Sequence, residues 1–200
     1  MLTKEEILAE VQKLQYFYGL KHEIRYAQER TENTESVAEH IYGMHVLADY
    51  FIELEDPLHT WDKARILQMI TWHDMDELET GDVPGYLKTD AHRAREVLAI
   101  KTVLEHVPSV IAETIKSITD EYTAQETQEA RFVKALDKIE PLFQLYGNEN
   151  GKSLMHKNKT TLEQSRMIKD KYVEEFLYMR EFNNVINMQL AEEGFFVQHA

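Results

Sequence analysis

Two hundred residues with 43% hydrophobic content suffice for one well-filled core, so a single domain over residues 1–200 is expected. A formal net charge of −14, from 36 acidic against 22 basic residues, excludes a surface built to grip a nucleic-acid polymer, because such a grip neutralises many phosphates. A small anion is not excluded, since a metal and a few local cations reverse the potential inside one pocket.

Thr3 and Glu6 have capping-box spacing, and Ile7, Val11, Leu14 and Tyr18 follow at helical spacing, which predicts an amphipathic first helix rather than a signal peptide. No run reaches transmembrane length, and there is no cysteine, so no membrane partner and a cytoplasmic location are expected. Ser36 and Glu39 repeat the capping-box spacing and start a second helix with Val37, Ile41, Met44, Ala48 and Phe51 on its apolar face. His40 follows Val37 by three and precedes Met44 by four, so it is predicted to face inward; Glu39 reads as a cap.

Further helices are predicted around 61–79, 91–106, 109–121, 161–182 and 184–192, and another through Phe132, Leu136, Ile139, Phe143 and Tyr146. Asp56-Pro57, Gly81-Asp82-Val83-Pro84-Gly85 and Asn148-Glu149-Asn150-Gly151 read as breaks, and Pro141 is expected to kink its helix just beyond Asp137. No segment alternates like a strand and no repeat is present. The class is all-α, a compact helical bundle.

Within the predicted helix 61–79, Ile66, Ile70, His73 and Glu77 form one stripe, and Ala64, Leu67, Thr71 and Asp74 the adjacent one. Polar groups that continue an apolar face are costly to bury unless something satisfies them, and a metal with bound water does so. Asp137 repeats the pattern four residues after Val133. One buried histidine alone is seldom a ligand; the case rests on His40, His73, Asp74 and Asp137 arising from three separate helices. Two imidazoles and two carboxylates suit one divalent ion of the Mn, Co, Fe, Ni, Zn or Mg kind, which activates water for hydrolysis. Glu77, four residues after His73, is the candidate to orient or deprotonate that water. Asp82 would assist from the loop, by protonating the leaving oxygen or by holding Glu77, with a plain turn residue as the alternative.

The ordered set His40, His73-Asp74 and Asp137 resembles the HD-domain phosphohydrolases. The segments Glu35-Ser36-Val37-Ala38-Glu39-His40, His73-Asp74-Met75-Asp76-Glu77-Leu78-Glu79-Thr80-Gly81-Asp82-Val83 and Val133-Lys134-Ala135-Leu136-Asp137-Lys138-Ile139-Glu140 are similar to the branch containing bacterial 5′-deoxynucleotidases. This likeness covers roughly residues 20–147, with helices over 161–192 expected to pack on that core. It implies a phosphoric monoester hydrolase acting on deoxynucleoside 5′-monophosphates, one divalent ion held by the four ligands, and a homodimer. It also implies Arg25 as a phosphate clamp, a role suited to a planar guanidinium. Where that branch has a tryptophan near the sugar this chain has Tyr26, which bears on discrimination between deoxyribose and ribose. Lys88 is a candidate second phosphate contact, with an exposed surface lysine as the alternative. His92, Arg93 and Arg95 fit a helix surface better than a second metal or further phosphates.

Three other readings compete. A triphosphohydrolase would release tripolyphosphate, using Lys88, Arg93 or Arg95 for the extra charge. A non-catalytic module would bind nucleotide or metal and regulate a partner. A di-iron oxidase would need more ligands, for which only His92 and His106 are conceivable.

Overall fold

The structure, a computed structural model, describes residues 3–31 and 34–198. Its helices are α1 Lys4–Phe17, α2 Val37–Glu55, α3 Lys63–Trp72, α4 Glu77–Thr80, α5 Asp90–His106, α6 Ser109–Ala124, α7 Gln128–Leu145, α8 Glu149–Lys157, α9 Leu162–Met167, α10 Asp170–Val173 and α11 Leu177–Glu192. Short 3₁₀ turns occupy Tyr18–Lys21, Arg25–Ala27 and Gly85–Leu87. Among the described residues the β pairing is a single antiparallel bridge between Ile24 and Ser36, so the expected all-α class holds. No helix among them is long and apolar enough to cross a membrane.

The chain divides into two compact units, one of Met1–Tyr42 with Gln68–Ala124 and the other of Gly43–Leu67 with Gln125–Ala200. In the first, α1 begins with the expected capping box: Glu6 N–H donates to Thr3 Oγ1 at 3.2 Å while Thr3 N–H donates to Glu6 Oε2 at 2.7 Å. The apolar stripe of α1 is only partly covered, however, and Ile7, Leu8, Val11 and Leu14 remain 41–51% exposed. Phe17 meets Trp72 edge-on at 5.1 Å, Tyr16 stacks on His106 at 4.0 Å, and the Tyr16 hydroxyl donates to Glu79 at 2.5 Å. These contacts tie α1 to α5 and to the ends of α3 and α4.

In the second unit α7 is the most buried helix, and α8, α10 and α11 pack on it. Phe132, Val133, Ala135, Leu136, Ile139 and Leu142 are wholly buried along α7, and the helix continues past Pro141 to Leu145. Trp61 lies 4.9 Å from Phe132, which lies 5.6 Å from Phe176, an aromatic cluster whose offset and edge-on geometry suits ring quadrupoles.

Three sequence expectations about boundaries are corrected. The helix predicted over 61–79 stops at Trp72 and restarts at Glu77, because bonds from Met75 N–H to the Trp72 carbonyl and from Glu77 N–H to the Asp74 carbonyl close tight turns instead of extending the α-helical ladder. The helix predicted over 161–182 is three pieces, and α11 runs unbroken through residue 183. The break read at Asn148-Glu149-Asn150-Gly151 does separate two helices, but only Asn148 lies outside them, because α8 begins at Glu149. The Asn148 side-chain carbonyl accepts from the N–H groups of Asn150 and Gly151 and caps α8, which the polar composition of the segment concealed.

A buried polar chain crosses this unit. Lys169 Nζ donates to Ser165 Oγ at 3.0 Å, Ser165 Oγ to Asn187 Oδ1 at 2.9 Å, Asn187 Nδ2 to Asn183 Oδ1 at 2.9 Å, and Asn183 Nδ2 to Asp170 Oδ1 at 2.8 Å. Burial, then the charge of Lys138, pull the Lys169 ammonium down from 10.5 to about 7. Between those values the unfolded chain binds a proton that the folded chain does not, so this group makes stability rise with pH over that window, by up to about 1.4 kcal/mol per pH unit. Chemical denaturation at intervals from pH 7 to 10 should show that slope in the wild type and a flatter one in Lys169→Met.

Candidate metal centre

The capping box at the start of α2 forms as expected. Ser36 N–H donates to Glu39 Oε2 at 2.6 Å and Glu39 N–H to Ser36 Oγ at 3.3 Å. Arg30 grips Glu39 through both guanidinium nitrogens at 2.8 and 2.9 Å, and this bond holds the Glu39 carboxyl down at about 2. Glu39 is therefore a structural anion, and the cap fixes His40 in the first turn with its side chain fully buried.

His73 and Asp74 stand in the tight turns that follow α3. His73 Nδ1 lies 2.9 Å from the carbonyl of Ile70. A carbonyl only accepts, so Nδ1 carries the proton and Nε2 presents a lone pair. Buried Nε2 makes no hydrogen bond among the described residues, although Asp74 Oδ2 is 3.0 Å away; the two atoms point toward a common space. Asp74 Oδ2 is also 3.8 Å from His40 Nε2, and one ligand atom from each of His40, His73 and Asp74 lies within 4.8 Å of the others. The rings of His40 and His73 are 5.6 Å apart, and Tyr122 on α6 closes against His73 edge-on at 5.6 Å. A buried imidazole with its tautomer fixed by a carbonyl, beside a second imidazole and a carboxylate, is a donor set that fits a divalent metal.

Glu77 opens α4 and is 6% exposed, with Oε2 buried and making no hydrogen bond among the described residues. Since the helix is interrupted, its placement does not come from four-residue spacing after His73. Burial, then the charges of Asp74 and Asp82, push its carboxyl well above the usual range, against the pull of Arg25. Asp76 is pushed up to about 7 by burial and then by Asp74 and Glu96. Gly81 takes φ 68°, which an L residue rarely adopts, and turns the chain so that Asp82 is buried.

Arg25 is set by the bridge between Ile24 and Ser36. Its N–H donates to the Glu35 carbonyl at 2.9 Å, and Val37 N–H donates to the Glu23 carbonyl at 2.9 Å. The Arg25 guanidinium lies 3.4 Å from the Glu35 carboxylate, both buried, and 5.2 Å from the ring of Tyr26. Tyr26 has φ 63° and ψ 27°, a left-handed conformation that costs a non-glycine residue about 1–3 kcal/mol. Its backbone N–H donates a short hydrogen bond to Asp82 Oδ2.

Lys88 pairs with Glu96 at 2.6 Å. Burial opposes its charge, but the Glu96 bond and the fields of Glu96, Glu77 and Asp74 raise its proton affinity above the ordinary value. It is thus a half-buried cation that feels the site, not a freely exposed lysine. His92 closes the capping box of α5 with Thr89, and His106 stacks on Tyr16. Exposed Arg93 lies 3.7 Å from Asp90. These groups serve helix ends and surfaces, in line with the sequence reading.

The first unit therefore brings together His40, His73, Asp74, Glu77, Asp82, Arg25, Tyr26 and Lys88. Asp137 stands on α7 of the second unit, 8% exposed, with Lys138 Nζ at 2.9 Å and Lys134 Nζ at 3.2 Å from its Oδ2. Sequence reasoning gave no role to Glu35, Asp76 or Glu96. Glu35 sits next to the Ser36 cap, and its pairing with Arg25 is visible only once the bridge brings residues 25 and 35 together.

A model of the HD domain family matches residues 18–179, most of the chain and further toward the C-terminus than the motifs alone indicated. The chain belongs to the HD domain family. It is 34% identical over 116 residues to the 5′-deoxynucleotidase HDDC2 of Mus musculus and 33% identical over 124 residues to the 5′-deoxynucleotidase hdd1 of Schizosaccharomyces pombe. These matches cover 56% and 59% of this chain and only 55% and 60% of the relatives' own length. The fold is that of a protein from Magnetospirillum magnetotacticum MS-1 described as a predicted metal-dependent phosphohydrolase, with TM-score 0.79, 21% identity, and coverage of 96% of this chain and 98% of that one.

His73→Ala and Asp74→Ala should each lower bound manganese at least tenfold after equilibrium dialysis, read by plasma mass spectrometry. Arg93→Ala, on the surface of α5, should leave it unchanged.

Proposed function

We propose that the chain is a metal-dependent phosphohydrolase that removes the phosphate from (deoxy)nucleoside 5′-monophosphates. The observation that carries this reading is the convergence of His40, His73 and Asp74, with ligand atoms within 4.8 Å of one another, beside a buried Glu77 carboxylate. The names of the relatives support the nucleotide as substrate, and membership of the family supports the metal. Asp137 is assigned as the fourth ligand on the strength of its motif, Leu136-Asp137-Lys138.

A divalent ion held by His40, His73, Asp74 and Asp137 would supply Lewis acidity and would make water easier to deprotonate. The rest falls to the chain's own residues. Glu77, whose burial raises its proton affinity, takes the proton from the attacking water. Arg25, braced by Glu35, clamps the phosphate oxygens and stabilises their charge as the ester bond breaks, and Lys88 adds a second cation to the acidic cluster. Tyr26, beside Arg25, is the residue assigned to the sugar, and a phenol in place of an indole bears on the choice between deoxyribose and ribose.

A homodimer and a cytoplasmic location complete the reading. The half-exposed apolar stripe of α1 supports the first, and the absence of cysteine supports the second.

Glu77→Gln should keep metal and nucleotide binding while slowing turnover about 10²–10⁴-fold, measured as phosphate release from dAMP and AMP. A near-normal rate would remove Glu77 from the chemistry, and tripolyphosphate from dATP would replace the monoesterase reading. Asp137→Ala should lose bound metal, and an unchanged metal content would break the four-ligand assignment.

A further inference from the structure

We infer that Asp82 is a positioning residue that acts through the backbone of Tyr26, and not the acid that protonates the leaving oxygen. The inference rests on the reading of Arg25 as the phosphate clamp. Arg25 and Tyr26 lie in one 3₁₀ turn, and Tyr26 is left-handed at φ 63° although it carries a bulky side chain. Such a conformation persists only where the surroundings over-determine it. Three groups hold this turn. The Glu35 carbonyl takes the N–H of Arg25, the Glu35 carboxylate braces the guanidinium, and the Asp82 carboxylate takes the N–H of Tyr26.

The Asp82 anchor has its own support. Gly81 at φ 68° turns the chain out of α4, and a Cβ added there would lie 3.3 Å from Glu23 Oε1, one residue before the bridge that carries Arg25. The Gly81-Asp82 pair is thereby fitted against the segment 23–26, through the Glu23 side chain and the Tyr26 amide. Asp82 Oδ2 is committed as an acceptor to a backbone amide, and acceptance is a task that an asparagine carbonyl performs as well as a carboxylate. Proton donation is not. With the anchor lost, Tyr26 relaxes toward ordinary φ, and the peptide that follows Arg25 rotates. The guanidinium then loses the alignment that bidentate recognition of a phosphate needs, and a misplacement of this kind costs up to about 10²-fold.

The test compares Asp82→Asn, Asp82→Ala and Arg25→Met in the metal-loaded protein. Asparagine should keep kcat within about threefold, with both limbs of the pH–rate profile in place. Alanine should raise KM for dAMP and the inhibition constant of inorganic phosphate tenfold or more, as Arg25→Met does. Amide hydrogen exchange gives a readout independent of turnover: protection of the Tyr26 N–H should survive in Asp82→Asn and be lost in Asp82→Ala, at equal melting temperatures. If Asp82→Ala fails to fold, Asp82→Ser, too short to reach the amide, takes its place. A hundredfold or greater slowing of turnover in Asp82→Asn, with the limb assigned to the acid abolished, would overturn the inference. So would unchanged Tyr26 exchange in Asp82→Ala. If instead Arg25→Met leaves the phosphate constant unchanged, the clamp reading fails, and the exchange result still decides whether Asp82 holds Tyr26.

Discussion

The site depends on the termination of α3 at Trp72. In a continuous α-helix adjacent side chains diverge by about 100°, so neighbours one apart in sequence do not face each other. His73 and Asp74 could not then offer a nitrogen and an oxygen to one point. The tight turns over residues 72–77 remove that obstacle, and Nε2 and Oδ2 come within 3.0 Å. His73 itself helps to end the helix, because its Nδ1–H satisfies the Ile70 carbonyl in the last turn of α3. One bond thus caps the helix, fixes the tautomer and aims the lone pair.

That arrangement carries an electrostatic cost. Burial, then the charges of neighbouring carboxylates, hold Glu77 well above its ordinary range, with Asp74 and Asp82 contributing, and push Asp76 up to about 7, with Asp74 and Glu96 contributing. The cations that act on the cluster, Arg25 and Lys88, are each also engaged with a carboxylate, Glu35 and Glu96. Each cation is thereby partly neutralised by its own carboxylate, so acidic groups outnumber the cationic charge left to balance them, which favours a negative local potential. Such a potential is the environment in which hard and borderline divalent ions bind through nitrogen and oxygen donors. Asp137, beside Lys134 and Lys138, has a different electrostatic setting, in which two ammonium groups compete with any metal for the same carboxylate oxygen.

Much of this was legible in the sequence, for definable reasons. The all-α class followed from uninterrupted 3.6-residue periodicity, and the start of α2 from the Ser36 and Glu39 spacing, since both are local. The burial of His40 followed from the same helix. Spacing failed after Trp72, where Ile66, Ile70, His73 and Glu77 read as one stripe although the helix ends within it; no proline or glycine marks that end. It failed again at α8, where a run rich in Asn and Gly served as a cap. The ion pairs of Arg25 with Glu35 and of Lys88 with Glu96 were invisible because neither glutamate carries a motif role and neither pair is a local helical one. The exposure of α1 was hidden for the opposite reason: an apolar stripe shows that a helix is amphipathic, not what covers it.

The bridge between Ile24 and Ser36 explains why a motif residue fifteen positions from His40 belongs to the same site. Backbone bonds from Arg25 to Glu35 and from Val37 to Glu23 fix both ends of the intervening loop, so the position of Arg25 is set by the start of α2 and not by the path of the chain between them. A single-residue shift at either end of the bridge would exchange Arg25 for its neighbour. In this region the left-handed conformations fall at Tyr26 and Gly81, on the two segments that meet through Asp82.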